Sequence, residues 1–274
     1  HSAEIVPIER CPVLSPAIIG KLPVLREIAA IILPEKRAAR FSVLAADNGL
    51  DISVTESGRP NARSLAALGR FGTDMAIARL SVDGTEVFRN RLPELRAGPA
   101  ALFPVPGGFV QAVASAEQAL ADAVLAHVGG KGPFADLFAG IGTFTFRLAE
   151  RGQVTAVEGE PALVAALENA TRHARGVKRV AARRRDLFVN PLSPPELKAF
   201  TAVVFDPPAA GAKAQAEMLA RSDVAKVAAV SCNPATLARD ARILIDGGYR
   251  LDRVLPVDQF LYSAEIEVVA TFSR

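Results

Sequence analysis

Five short apolar runs, each followed by a turn of polar residues or glycine and then by a stretch long enough for a helix, restrict the second half of this chain to very few folds. The runs are FADL (134–137), VTAV (154–157), RVAA (179–182), AVVF (202–205) and VAAV (227–230). Apolar runs of this length that do not alternate with polar residues suit strands covered on both faces, as in a parallel sheet whose crossover helices pack on either side. The expected architecture is therefore a doubly wound α/β domain. Alternating segments at 250–256 and 265–272 predict two final strands forming an antiparallel edge.

The first part of the chain reads differently. Residues 15–32 have a helical pattern that Pro23 kinks or interrupts. Phe41 to Glu56 reads as a hairpin turning at Asp47-Asn48-Gly49, and a second hairpin follows around Asp83-Gly84. With a helix near 62–68, these strands predict a small α+β domain over 1–100, ahead of a larger domain over 101–274. The boundary falls by the Pro- and Gly-rich ALFPVPGGF. Ser115 and Gln118 have capping-box spacing at the head of a helix that runs to Gly129-Gly130. The opening HSAEIVPIERCPVL has no initiating methionine and reads like the interior of a longer protein, part of whose N-terminal region is absent.

With 274 residues, half of them hydrophobic and 22% charged, the chain can bury a substantial core. No apolar run reaches the roughly 18 to 20 residues of a membrane helix, and nothing resembles a signal peptide. Two cysteines far apart make no disulfide framework. The expectation is a cytoplasmic protein. A net charge of +3 suits a polyanionic partner but does not identify one.

In open α/β sheets ligands bind beyond the carboxyl ends of the strands, so the residues just after each run are the informative ones. They are Phe138 to Phe144, with Gly140, Gly142 and Thr143; Glu158; Asp186; Asp206-Pro207-Pro208; and Ser231-Cys232-Asn233-Pro234. Gly140 and Gly142 let backbone approach a ligand, but Thr145 stands where a dinucleotide fingerprint needs its third glycine. Glu158 suits a ribose diol, because a carboxylate accepts both hydroxyl protons. Cys232 follows a strand and precedes a proline that cannot continue it, an address that turns a thiolate toward the ligand crevice. Arg183, Arg184, Arg185, Arg239 and Arg242 are phosphate candidates, though charge runs more often form a solvated face.

The segments DLFAGIGTF, VEGEPALVAALENA, VFDPPAAG and VSCNPATLARDARILIDGGY, in that order, resemble the RNA 5-methyluridine methyltransferase family over residues 109–274. The resemblance implies a class I SAM-methyltransferase sheet with S-adenosyl-L-methionine as cofactor. GGFVQ is similar to the family's Phe-x-Gln segment, which implies a cofactor contact at Gln111. Further contacts are implied at Phe138, Glu158 and Asp206, and also at Asp186 and Thr143, beside the glycine turn at Gly140. Cys232 falls on the family's nucleophile and Glu267, in DQFLYSAEIEVV, on its general base. The sequence departs from the family pattern at Ala209, usually arginine, at Val113, usually asparagine, and at Glu265, usually histidine. ERCPVLSP resembles, more weakly, the segment carrying the fourth ligand of a [4Fe-4S] cluster in ribosomal-RNA members, which implies that role for Cys11. The other three ligands lie upstream in those relatives, beside a TRAM domain, so this chain alone is expected to hold no cluster.

The implied activity is methylation of uracil C5 in RNA through a covalent adduct of Cys232 with C6. The Cys11 segment favours 23S rRNA over tRNA as the partner. A tRNA uracil-5 methyltransferase and a catalytically impaired RNA-binding homologue are the alternatives. A nucleotide-dependent oxidoreductase on a similar sheet would leave Cys232 and Glu267 without a role.

Overall fold

The computed structural model describes residues 7–33, 38–58 and 60–274; the first six residues of the opening segment lie outside it. The chain forms two compact units, residues 1–95 with 104–108, and residues 96–103 with 109–274. The expected boundary at residue 100 falls inside a short hairpin of the second unit.

In the first unit, α1 (Pro16–Ile19) is followed by α2 (Leu22–Ile32). The helical pattern over 15–32 is interrupted rather than kinked: α1 ends at Ile19, and Pro23 sits in the first turn of α2, where a missing N–H costs nothing. Strands β1 (Arg40–Ala46) and β2 (Gly49–Thr55) form the expected hairpin. Helix α3 (Ala62–Gly69) crosses over to β3 (Ile77–Val82), which pairs parallel with β2 and antiparallel with β4 (Thr85–Arg89). Sheet order is thus β1-β2-β3-β4. Ile28, Ile32 and Leu68 pack on alternate residues Ile52, Val54, Leu80 and Val82. The intervening residues of β2 and β3 are polar and also buried: Arg79 Nε donates to Asp51 at 2.8 Å, and Arg79 Nη2 donates to the Pro104 carbonyl at 2.8 Å.

The second unit takes in the hairpin of β5 (Leu95–Ala97) and β6 (Ala100–Leu102) from Arg96 onward, then α4 (Ala114–Val128). The expected capping box does not form: α4 starts one residue before Ser115, with Val113 as N-cap, and Gln118 instead donates to Asp122. The α/β alternation then runs β7 (Phe134–Leu137), α5 (Thr145–Ala149), β8 (Val154–Glu158), α6 (Pro161–His173), β9 (Val180–Arg184), α7 (Pro194–Leu197), β10 (Ala202–Phe205), α8 (Lys213–Ala220), β11 (Lys226–Ser231), α9 (Pro234–Asp246), β12 (Arg250–Val257) and β13 (Glu267–Ser273). All five apolar runs are strands, and they pair in parallel. The order is β12-β13-β11-β10-β7-β8-β9. The last two strands do not simply extend one edge in sequence: β13 inserts between β11 and β12, antiparallel to both.

Both faces of this sheet are covered, as unalternated apolar strands require. Val203 and Phe205 of β10 point into a cluster with Leu219 of α8 and Leu244 of α9, while Ala202 and Val204 point into another with Leu120 and Val124 of α4. The chain leaves β7 in one direction for β8 and β9, then returns to β10 on the other side. The crevice at that reversal is the place where a sheet of this kind holds a ligand. Among the described residues, no helix is long and apolar enough to cross a membrane.

Candidate active site

A cavity of about 610 Å³ opens at that reversal, in the size range of sites for cofactors and small ligands. Gln111, Phe138, Gly140, Thr143, Glu158, Asp186, Asp206, Cys232 and Glu267 all line it, so one cavity collects every site residue expected in the second unit.

At the β7 end the backbone turns abruptly. Phe138 adopts φ +57°, a left-handed conformation that a bulky residue takes at a cost, and its ring lies 5.3 Å from that of Phe188. The two glycines that follow have different tasks. A Cβ on Gly140 (φ +56°) would meet nothing within 4 Å, whereas a Cβ on Gly142 (φ +107°) would come within 2.6 Å of Phe146 and 2.8 Å of Leu167. Gly140 leaves backbone open to a ligand, and Gly142 lets the turn pack on the core.

Glu158, at the β8 end, is pinned by three backbone amides. Its Oε2 accepts from Gly140 N at 3.0 Å, and its Oε1 accepts from Gly159 N at 2.7 Å and Glu160 N at 2.9 Å. A carboxylate has roughly four acceptor directions, so Oε2 keeps the spare one. Asp186 Oδ1 accepts from Phe188 N at 2.9 Å, which fixes the turn that carries Phe188 to the cavity wall.

The other end of the cavity is acidic. Parallel pairing of β10 and β11 puts Asp206 and Cys232 at neighbouring strand ends. Because β13 runs antiparallel with Ser231 opposite Val268, the next cross-strand position sets Glu267 against Cys232. Sheet register thus brings together two residues far apart in sequence. Glu267 is buried, and burial raises its carboxyl above the usual range, while a hydrogen bond from Gln259 pulls the other way. Asp206 is pushed up to about 8 by burial, then by repulsion from Glu267 and Asp136. The Cys232 thiol is raised too, by burial first and then by Glu267 and Asp206.

The loop after β10 is held by the first turns of α9. Asn233 Nδ2 donates to the Ala209 carbonyl at 3.1 Å, as does Thr236 Oγ1 at 3.0 Å; Arg239 Nη2 donates to the Ala210 carbonyl at 2.9 Å; and Ala212 N donates to Asp240 at 2.6 Å. Arg239 is thereby engaged in the fold, as are Arg242, paired with Asp246, and Arg185, paired with Glu196.

Two residues of this site escape sequence reasoning. Asp136 is fully buried beneath the cavity, held by a hydrogen bond from Thr145, and burial pushes its carboxyl up to about 7. An acid within the apolar run FADL was the available signal. Gln259 has no such signal: it is a buried amide in the loop between β12 and β13, and its importance lies entirely in its contacts.

A cationic nucleoside fits this arrangement. Glu158 has a free acceptor direction, aromatic surface adjoins it, and the acidic end, where burial and then Glu267 and Asp136 raise Asp206, would be relieved by a positive charge. Cys11 is partly buried in the first unit, and among the described residues no group of three His, Cys, Asp or Glu could hold a metal ion.

Comparison with known proteins bears on the same residues. The sequence profile of the family described as tRNA (uracil-5-)-methyltransferase matches residues 104–274. An uncharacterized RNA methyltransferase of Mesorhizobium japonicum is 45% identical over 273 residues, which cover 100% of this chain and 66% of that protein. The 23S rRNA (uracil(1939)-C(5))-methyltransferase RlmD of Chromohalobacter salexigens is 32% identical over 288 residues, covering 100% of this chain and 60% of its own length. Among solved structures, the tRNA (uracil-54, C5)-methyltransferase of Pyrococcus abyssi in complex with S-adenosyl-L-homocysteine superposes with a TM-score of 0.73 at 21% identity, over 98% of this chain and 70% of that one.

Proposed function

The chain belongs to the tRNA (uracil-5-)-methyltransferase family, and from that membership we propose that it transfers a methyl group from S-adenosyl-L-methionine (SAM) to C5 of a uridine in RNA. It spans 66% of the length of curated relatives such as the Mesorhizobium japonicum protein, and the activity proposed is that of the whole protein. The observation that carries the reading is the juxtaposition, by strand register, of a nucleophile and a buried carboxyl at one end of a cavity whose other end suits a nucleoside.

In this reading Gln111, Phe138, Gly140, Thr143, Glu158, Asp186 and Asp206 hold the cofactor, with Glu158 on the ribose. Bound there, SAM supplies an electrophilic methyl group and a positive charge that offsets the carboxylates beside Cys232. Uracil C5 is a poor nucleophile until electron density is pushed onto it. The Cys232 thiol gives up its proton to solvent and its sulfur bonds to C6, and the π electron pair of the C5–C6 double bond is then available at C5 for methylation. Glu267 removes the C5 proton, the ring double bond re-forms and the C6–S bond breaks, which frees Cys232. C6 is covered in a stacked base, so the uridine enters from a loop or flipped out of its helix.

The substrate proposed is 23S rRNA in the cytoplasm, supported by the segment around Cys11 and by the similarity to RlmD. Mapping 5-methyluridine by mass spectrometry, in 23S rRNA and tRNA from cells with and without the gene, tests this. Loss of one 5-methyluridine from 23S rRNA is the expected result. Loss confined to tRNA would reassign the substrate, and an unchanged map in both RNAs would overturn the activity.

A further inference from the structure

Glu267 is held by a residue to which no role has been assigned. Gln259 lies two positions beyond the end of β12, and β12 pairs with β13 so that Val257 stands opposite Glu267. This register lets the Gln259 side chain turn back over the start of β13. Its Nε2 donates both to Glu267 Oε1 at 3.2 Å and to Gln111 Oε1 at 2.8 Å. All three side chains are buried.

The chemistry fixes which way each amide faces. An ionised carboxylate only accepts, so Gln259 must turn its nitrogen toward Glu267. That nitrogen then requires an acceptor from Gln111, which turns the Gln111 carbonyl to Gln259 and leaves the Gln111 amide nitrogen for the cavity it lines. Two acceptors remain buried without a partner among the described residues, Gln259 Oε1 and Glu267 Oε2. Glu267 is therefore gripped by one oxygen and free at the other, as a group that must receive a proton requires.

Building on the proposed role of Glu267 as base, we infer that Gln259 is a positioning residue: its single amide nitrogen orients the free oxygen of Glu267 toward the cavity and locks Gln111 as a donor there. The coupling links the wall proposed to hold cofactor with the carboxyl proposed to take the substrate proton. Gln259 is also the one side chain that donates to Glu267 among the described residues. The titratable groups bearing on this end of the cavity are Asp206 after β10, Cys232 after β11 and Glu265 before β13, with Asp136 on β7 acting on Asp206. The acids among them oppose a second negative charge. Without the Gln259 donor, Glu267 should keep its proton to higher pH.

The test needs neither RNA nor cofactor. The infrared carbonyl band of protonated Glu267, identified by its loss in Glu267→Gln, is followed against pH in the parent and in Gln259→Met, which keeps side-chain volume but removes the donor. The midpoint is expected to move to higher pH in Gln259→Met. Gln259→Asn, which keeps an amide but withdraws it by one methylene, should move it the same way and serves if the methionine variant does not fold. A midpoint unchanged in a folded variant overturns the inference. Gln111→Met is expected to leave the midpoint where it is or lower it, because Gln259 then donates to Glu267 alone; a rise would also count against the inference. Whether Glu267 is the base is a separate question, answered by turnover of Glu267→Gln: if that variant is as active as the parent, the proposed role fails while the infrared result still stands.

Discussion

Burial first, and then the acids Glu267, Asp206 and Glu265, raise the Cys232 thiol, which disfavours the thiolate that the proposed mechanism needs. A cationic cofactor changes that balance, and Asp206 offers a way to observe it. Asp206 keeps its proton up to about 8, because burial and two neighbouring acids disfavour its charge. A sulfonium is attracted to the ionised form only, so affinity for SAM should increase as pH rises through about 8, while affinity for the uncharged thioether S-adenosyl-L-homocysteine should stay nearly level. Calorimetry with both ligands across that range checks this. The difference should vanish in Asp206→Asn, and parallel pH dependences for the two ligands would contradict the account. Glu158→Ala, by contrast, should weaken both ligands alike, by about 1–3 kcal/mol if it holds the ribose.

At the scale of elements, the strands of the second unit and the residues at their ends were legible because an apolar run without alternation has one stable use, burial on both faces. What sequence could not supply was pairing. The parallel match of β2 with β3 and the insertion of β13 between β11 and β12 are set by tertiary packing. That insertion is also what sets Glu267 against Cys232; resemblance could name the two residues, but only register brings them together. Ser115 was misread for a local reason: a serine is compatible with a helix cap or a first turn, and α4 starts one residue before it. The run after Cys232 proves to be largely a clamp. Gly211 (φ +76°) leaves room for it, since a Cβ there would come within 2.5 Å of Arg239 and 2.7 Å of Asp240. Asp240→Ala should therefore lower stability by about 2–4 kcal/mol, as expected when a buried charged acceptor is lost, and should weaken SAM binding by loosening the loop that carries Asp206. Thermal unfolding and calorimetry read the two effects. A variant of unchanged stability would show that the clamp is not needed.

At the scale of the whole molecule, each of the two units has a core of its own. The first unit buries its own core and its own Asp51–Arg79 pair, while the nine second-unit residues expected from sequence line one cavity at a single sheet reversal. The account rests on Cys232 as nucleophile and Glu267 as base, and one experiment addresses both. Glu267→Gln, incubated with SAM and unmodified 23S rRNA transcript, should methylate its uridine yet fail to release it, giving a slow-migrating protein–RNA band on a denaturing gel. The double variant Cys232→Ala, Glu267→Gln should give none, and Cys232→Ala alone should form no 5-methyluridine. A Cys232→Ala protein that still makes 5-methyluridine would contradict the covalent mechanism.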